Sequence, residues 1–190
     1  MAEENTYSRA ECSLAGNVFE SDRLRLRPFE AKDAEAFWLM RSNPDVMEFI
    51  PFEVATNRDE IYQEFADALI AGERFKFFRA VEWKMAPAGK EGFMIGWVLF
   101  RPTDDGRFVE LGYWFLPEAW GQGLATEASK AMIAGHREAI GVPFEDIYAE
   151  AYVGNDASRH VLEKTGLEVS HEGDFDGRPT WVMYWKFNQI

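Results

Sequence analysis

Cysteine, basic side chains and long apolar runs are all scarce in this chain of 190 residues. Cys12 is its single cysteine, so no disulfide can close within the chain, and a reducing compartment is expected. Lysine and arginine total 20 against 33 aspartates and glutamates, which leaves a formal net charge of −13. Nucleic-acid binding needs clustered Lys and Arg to meet phosphates, so nucleic acid is excluded from the expected partners. An acidic surface suits amine-bearing molecules instead. No segment approaches the ~20 apolar residues of a membrane span. The opening "MAEENTYSRAECSLAGN" has neither the basic start nor the apolar run of a secretion signal. It reads as a loose leader over residues 1–17, ahead of a single domain over 18–190, in a cytoplasmic protein with no membrane partner. His136, His160 and His171 share no metal-ligand spacing, so no metal is expected.

What the chain has in quantity is aromatic, 15% overall with 16 Phe and 7 Trp. Either a phenylalanine-rich core or an aromatic-lined pocket would use them. "RLRLRPF" (Arg23–Phe29) alternates with period two, as a strand does. Helical spacing follows in "EAKDAEAFWLMRS" and is interrupted at Pro44. It returns over roughly 57–71, behind a capping box at Thr56 and Asp59. The period then changes. "FKFFRAVEW" (Phe75–Trp83), "FMIGWVLF" (Phe93–Phe100) and "FVELGYWFL" (Phe108–Leu116) read as an antiparallel meander, with Asp105-Gly106 as a hairpin turn. Beyond Gly123 the spacing predicts a helix whose apolar stripe is Leu124, Ala128, Ala131, Gly135 and Ala139. A strand at Asp146–Val153, a helix over Asn155–Gly166 and two closing strands complete an α+β order on one mixed sheet.

Between the meander and that helix lies "WGQGLAT", Trp120–Thr126. Strand, glycines and helix start, in that order, can present bare backbone N–H groups to an anion. Three readings of it stand at this point. It could be a plain turn in which glycine permits positive φ. It could be a dinucleotide loop, although Thr126 stands where that motif has its third glycine and no βαβ unit opens here. It could also cradle the pyrophosphate of another nucleotide-containing cofactor.

The surroundings favour the last. "ELGYWFLPEAWGQGLATEA", followed by "NDASRHVLEKTGL", resembles the GNAT superfamily of acetyl-CoA-dependent N-acetyltransferases. The match is to the branch that contains the ribosomal-protein acetyltransferases RimJ and RimL, and "ESDRLRLRPFEAKDAEAF" is similar to that branch's opening. The resemblance implies an α/β sandwich with a mixed, mostly antiparallel seven-stranded sheet, about four flanking helices and a cofactor cleft between splayed central strands. It implies acetyl-CoA as co-substrate and a primary amine as acceptor, attacked directly in a ternary complex. The acceptor would be the N-terminal α-amine of a ribosomal or other protein, or else a small amine such as a polyamine, amino acid or antibiotic. A non-catalytic CoA-binding module is the rival of another class. Monomer and homodimer both stay open.

Carried over residue by residue, the amides of Gly121, Gln122, Gly123, Leu124, Ala125 and Thr126 would hold the pyrophosphate. Trp120 stands where the superfamily has Arg or Gln. Tyr113 and Phe115 match the positions whose backbone pairs with the pantetheine arm, and Asn155 serves as helix cap or cofactor contact. An alkyl amine with a pKa near 10.4 is almost wholly protonated at neutral pH, so transfer needs a base. Glu110, just ahead of the cofactor strand, is the candidate, and the face it occupies depends on strand register. Ser158 matches the branch's Asn-x-x-Ser, where the serine donates to the departing sulfur. Acidic residues near the early helices and last hairpin, namely Asp45, Glu48, Glu53, Asp174 and Asp176, could attract a cationic acceptor.

Overall fold

Helix α1 (Ala34–Arg41) starts behind a buried ion pair. In the computed structural model, which describes residues 16–140 and 147–185, Arg27 is only 2% exposed. Its guanidinium donates to both carboxylate oxygens of Asp33 at 2.7 Å and to Glu82 at 2.5 Å. Burial alone would lower the guanidinium's proton affinity, but these two carboxylates raise it above its ordinary value. The strand that carries Arg27, β2 (Leu24–Arg27), puts Leu24 and Leu26 into the core on its other face. Two short elements flank this start: β1 (Phe19–Glu20) before it and α2 (Pro44–Met47) after α1. The third helix, α3 (Arg58–Ala71), fills the expected span. Its cap is Asn57 rather than Thr56, because the Asn57 Oδ1 accepts from the amides of Asp59 and Glu60 at 3.1 and 3.4 Å.

The meander follows as β3 (Phe78–Trp83), β4 (Met94–Pro102) and β5 (Val109–Phe115). Strand β3 begins three residues later than its aromatic run, since Phe75–Phe77 coil into a 3-10 turn. The β4–β5 hairpin closes where Asp-Gly predicts it: Thr103 N–H donates to Phe108 O at 2.9 Å, and Gly106 has φ 71°. Helix α4 (Leu124–Ile140), β6 (Ile147–Tyr152), α5 (Asp156–Thr165), β7 (Leu167–Phe175) and β8 (Arg178–Trp185) complete the chain. Residues 1–15 of the 1–17 leader, the 141–146 connection with Asp146, and 186–190 lie outside the described residues.

Among the described residues the sheet has eight strands in the order β1-β2-β3-β4-β5-β6-β8-β7, one more than the expected seven. The addition is β1, whose two residues are too few to show a period. Among the described residues five helices stand against the expected four or so, because the turn through Pro44 forms a separate four-residue helix. All strand pairs are antiparallel except β5 with β6.

Helices cover both faces, which is why β4 reads as an unbroken apolar run instead of alternating. Phe100 meets the His136 ring of α4 at 4.4 Å on one face, while Trp97 and Leu99 look onto the side of Phe37 in α1. The buried stripe of α4 runs through Leu124, Ala128, Met132 and His136, with Ser129 and Ile133 beside it. Ala139, expected in that stripe, is exposed. Gly135 is half-buried because Phe19 packs on it; a Cβ there would stand 2.2 Å from the Phe19 ring. Both uses of the aromatics occur together. Phe29, Phe37, Phe65 and Phe75 cluster in the core with centroids 4.6 to 6.4 Å apart, and others wall a cavity.

Candidate active site

Strands β5 and β6 stay together for only two register pairs, Val109 with Ile147 and Glu110 with Tyr148. Beyond Glu110 they part, and β5 continues alone beside β4 to Phe115. Antiparallel pairing turns successive residues' polar groups to opposite sides. Leu116 N–H donates to Ile95 O at 2.9 Å, so its groups face β4, and those of Phe115 and Tyr113 face the gap. The Phe115 carbonyl is already used, accepting from the Trp120 indole N–H at 2.8 Å. That contact gives Trp120 a local role: it ties the end of β5 to the turn that follows.

The turn itself is held from below. Gly121 and Gly123 have φ of 71° and 73°, a left-handed conformation that L side chains avoid. A Cβ at Gly121 would meet no heavy atom within 4 Å, so the turn borders open space. The first hydrogen bond of α4 runs from Glu127 N–H to Gly123 O at 3.0 Å, so the amides from Gly121 to Thr126 precede the helical ladder. The turn is anchored from behind: Arg23 donates to Gln122 O at 3.1 Å, and the Gln122 side-chain Nε2 donates to Glu118 O at 2.7 Å. Arg23 is in turn gripped by Glu127, with Nε to Oε2 at 2.6 Å, and Ser21 Oγ donates to Oε1 at 2.6 Å. Partial burial pushes the Glu127 carboxyl up, but the bonds from Ser21 and Arg23 outweigh it and hold the group below its ordinary value. The loop therefore offers donors at a helix N-terminus, where the helix dipole also favours negative charge.

A cavity of about 530 Å³ spans the gap and reaches across the sheet. Phe37, Phe49, Phe52, Trp97 and Phe175 contribute its aromatic walls. Its charge is acidic at the strand ends. Glu110 lies beside Tyr148 in register, and Glu150, two residues further along β6, shares that face. Arg101 Nε donates to Glu110 Oε2 at 2.8 Å. Desolvation raises the Glu150 carboxyl above its ordinary value, the Glu110 charge adds to the rise, and His171 opposes it. The Tyr148 hydroxyl is raised as well, first by burial and then by the same two carboxylates.

On the other side of the gap, Asn155 caps α5, its Oδ1 accepting from Ser158 N–H at 3.0 Å. Tyr113 Oη lies 3.0 Å from both Ser158 Oγ and Ser158 O. Desolvation raises the Tyr113 hydroxyl well above its ordinary value, and the Ser158 contact only partly offsets that.

Of the residues singled out in the sequence, Glu110, Tyr113, Asn155 and Ser158 line one cavity. Phe115 and the Trp120–Thr126 loop lie outside its lining, further along the splayed strand. The early helices and last hairpin do wall the cavity, but through Phe49, Ile50, Pro51, Phe52, Phe175 and Thr180. Asp45, Glu48, Glu53, Asp174 and Asp176 are not in the lining, and Asp174 instead accepts from Gly177 N–H in the hairpin turn at 2.9 Å. Glu150, Tyr148 and Arg101 were missed. Alternation in "DIYAEAYV" held the signal for two of them, because it sets Tyr148 and Glu150 opposite Ile147, Ala149 and Ala151. Among the described residues no group of three His, Cys, Asp or Glu could hold a metal.

A family model described as an acetyltransferase (GNAT) domain matches residues 23–168. The Bacillus subtilis (strain 168) protein called uncharacterized N-acetyltransferase YoaA is 28% identical over 152 residues, covering 80% of this chain and 82% of its own. The structure of Mycobacterium smegmatis RimJ in complex with CoA-disulfide gives a TM-score of 0.69 at 19% identity, over 88% of this chain and 86% of that one. Spermidine N-acetyltransferase from Vibrio cholerae, in complex with CoA and spermine, gives 0.66 at 19% identity, over 86% of this chain and 95% of that one. At such identities the two structures speak for the fold.

Proposed function

The chain belongs to the GNAT acetyltransferase family, and we propose that it moves the acetyl group of acetyl-CoA onto a primary amine by direct attack, with Glu110 as base and Ser158 facing the departing sulfur. The observation that carries this reading is the gap between β5 and β6, with Glu110 on one face and Ser158 across it. A diphosphate-bearing thioester fits the residues present. The loop amides ahead of the α4 ladder are donors open to solvent at Gly121, and the Tyr113 backbone and Phe115 N–H can pair with an extended arm as a strand would. When bound, acetyl-CoA supplies an activated acyl carbon with a thiolate leaving group.

The residues of the chain do the rest. An ammonium must lose a proton before it can attack. Glu110 holds Arg101 through Oε2, and its other oxygen accepts from no described side chain, which leaves it to take that proton directly or through a water. The aromatic walls displace water around the amine and strengthen its interaction with the two carboxylates. Ser158 Oγ donates to the sulfur as the C–S bond breaks. A thiol with a pKa near 8.5 needs little help, so Ser158→Ala should cost about tenfold in kcat.

The acceptor we favour is the α-amine of a polypeptide N-terminus, entering between the Phe49–Phe52 segment and Phe175. A small polyamine is the second reading, supported by the Glu110 and Glu150 carboxylates on one face, which suit a second positive charge. Thiol release from acetyl-CoA, measured over short peptides with free N-termini, spermidine and single amino acids, tests both. Release stimulated by none of them, together with tight acetyl-CoA binding, would instead favour a non-catalytic CoA-binding module. Glu110→Gln should lower kcat/KM for the accelerating amine by roughly a hundredfold or more and leave acetyl-CoA affinity unchanged.

A further inference from the structure

Ser158 does not stand alone in the gap, since Tyr113 Oη touches both its hydroxyl and its carbonyl at 3.0 Å. A phenol has one hydrogen to give and a carbonyl can only accept, so there are two arrangements in which the hydroxyls are bonded to each other. In the first, Tyr113 donates to Ser158 O, and the serine hydroxyl donates back to Tyr113 Oη, which turns its hydrogen away from the gap. In the second, Tyr113 donates to Ser158 Oγ, and the serine hydrogen is released into the gap. The two differ by rotation of two O–H bonds, with no heavy atom displaced. Asn155 holds the Ser158 amide at 3.0 Å, so the backbone stays fixed during that change.

We propose that Tyr113 is a positioning residue that acts through Ser158, the two hydroxyls forming a relay that turns toward sulfur as negative charge develops there. This rests on the reading that Ser158 faces the departing sulfur. The amine nitrogen bonds to the acyl carbon, the C–S bond breaks, and its electron pair stays on sulfur. The amine's proton goes to Glu110 and the thiolate is later protonated from solvent. No proton leaves either hydroxyl; Tyr113 strengthens the Ser158 donor by polarising it, as linked hydrogen bonds do. The half-buried phenol, whose hydroxyl is desolvated and resists ionisation, suits a donor that keeps its hydrogen.

The relay can be tested without an acceptor by titrating the thiol of bound coenzyme A through its thiolate absorbance. A Cys12→Ser background leaves coenzyme A as the sole thiol, because Cys12 is the chain's single cysteine. Tyr113→Phe should weaken the acidity of the bound thiol by about threefold to tenfold, the worth of one hydrogen bond, with coenzyme A affinity at high ionisation-suppressing acidity and Tm nearly unchanged. Ser158→Ala should weaken it at least as much, Ser158→Thr should restore it, and Tyr113→Phe added to Ser158→Ala should do nothing more. A further loss in the double variant would overturn the relay, since Tyr113 would then act independently. If Ser158→Ala shifts the titration and Tyr113→Phe does not, the relay fails and the role of Ser158 stands. No shift with Ser158→Ala refutes both.

Discussion

Gly123→Ala should reveal how far the loop's left-handed backbone is needed for acetyl-CoA. The position has φ 73°, and a new Cβ would meet only Arg23 Nη2 at 3.8 Å, an ordinary contact. Side-chain crowding therefore contributes nothing, and the cost is the backbone term alone, about 1–2 kcal/mol for an L residue held left-handed. If the free loop stays rigid, the whole cost appears as lost stability, a Tm decrease of roughly 2–8 °C for a chain of this size. If the free loop relaxes, the strain returns on binding and acetyl-CoA affinity falls by roughly 5- to 30-fold. Either way, the stability of the saturated complex falls by the full amount. Scanning calorimetry with and without acetyl-CoA, and isothermal titration, measure the two parts. Gly72→Ala is the control: it caps α3 at φ 72° with nothing within 4 Å of a new Cβ, so it should cost the same stability and no affinity. Unchanged Tm and affinity in Gly123→Ala, or equal loss of affinity in Gly72→Ala, would refute the reasoning.

Removing one of the two buried carboxylates, in Asp33→Ala, strips Arg27 of both Asp33 bonds and leaves it paired with Glu82, so it should cost about 2–3 kcal/mol in urea unfolding; a loss under 1 kcal/mol, on the order of a surface pair, would contradict it. The Glu127 carboxyl is held below its ordinary value by Ser21 and Arg23, so its stabilisation is complete above the unfolded value of 4.5 and fades as pH falls through the lower folded one. Glu127→Gln should flatten that acid limb and weaken acetyl-CoA binding at neutral pH, checked by pH-dependent melting and titration. Glu150 has the opposite sign. Its folded value lies above 4.5, so ionising it costs stability as pH rises through that region. Glu150→Gln should be the more stable protein at neutral pH and equal to the parent in acid; a less stable variant at neutral pH would show that the carboxylate has a favourable partner.

The loop and the α5 cap were legible because their geometry is local. Glycines at 121 and 123, the ladder starting at Glu127, and Asn155 accepting from Ser158 N–H all follow from residues a few positions apart. Hydrophobic period gave the meander, the α3 span and the closing hairpin for the same reason. What sequence alone left open was which side chains meet across strands. Alternation along β5 allows Glu110 either face, and only pairing with Tyr148 puts it on the side of Glu150. The contact of Tyr113 with Ser158 joins residues 45 positions apart, and Arg27 is buried only because Asp33 and Glu82 enclose it. The chain's own chemistry thus determined a glycine turn at a helix start and a capped helix, since short-range hydrogen bonds need no partner from afar. Packing decided the acid face, the aromatic walls and the hydroxyl pair, because register and burial depend on every element that presses against the sheet.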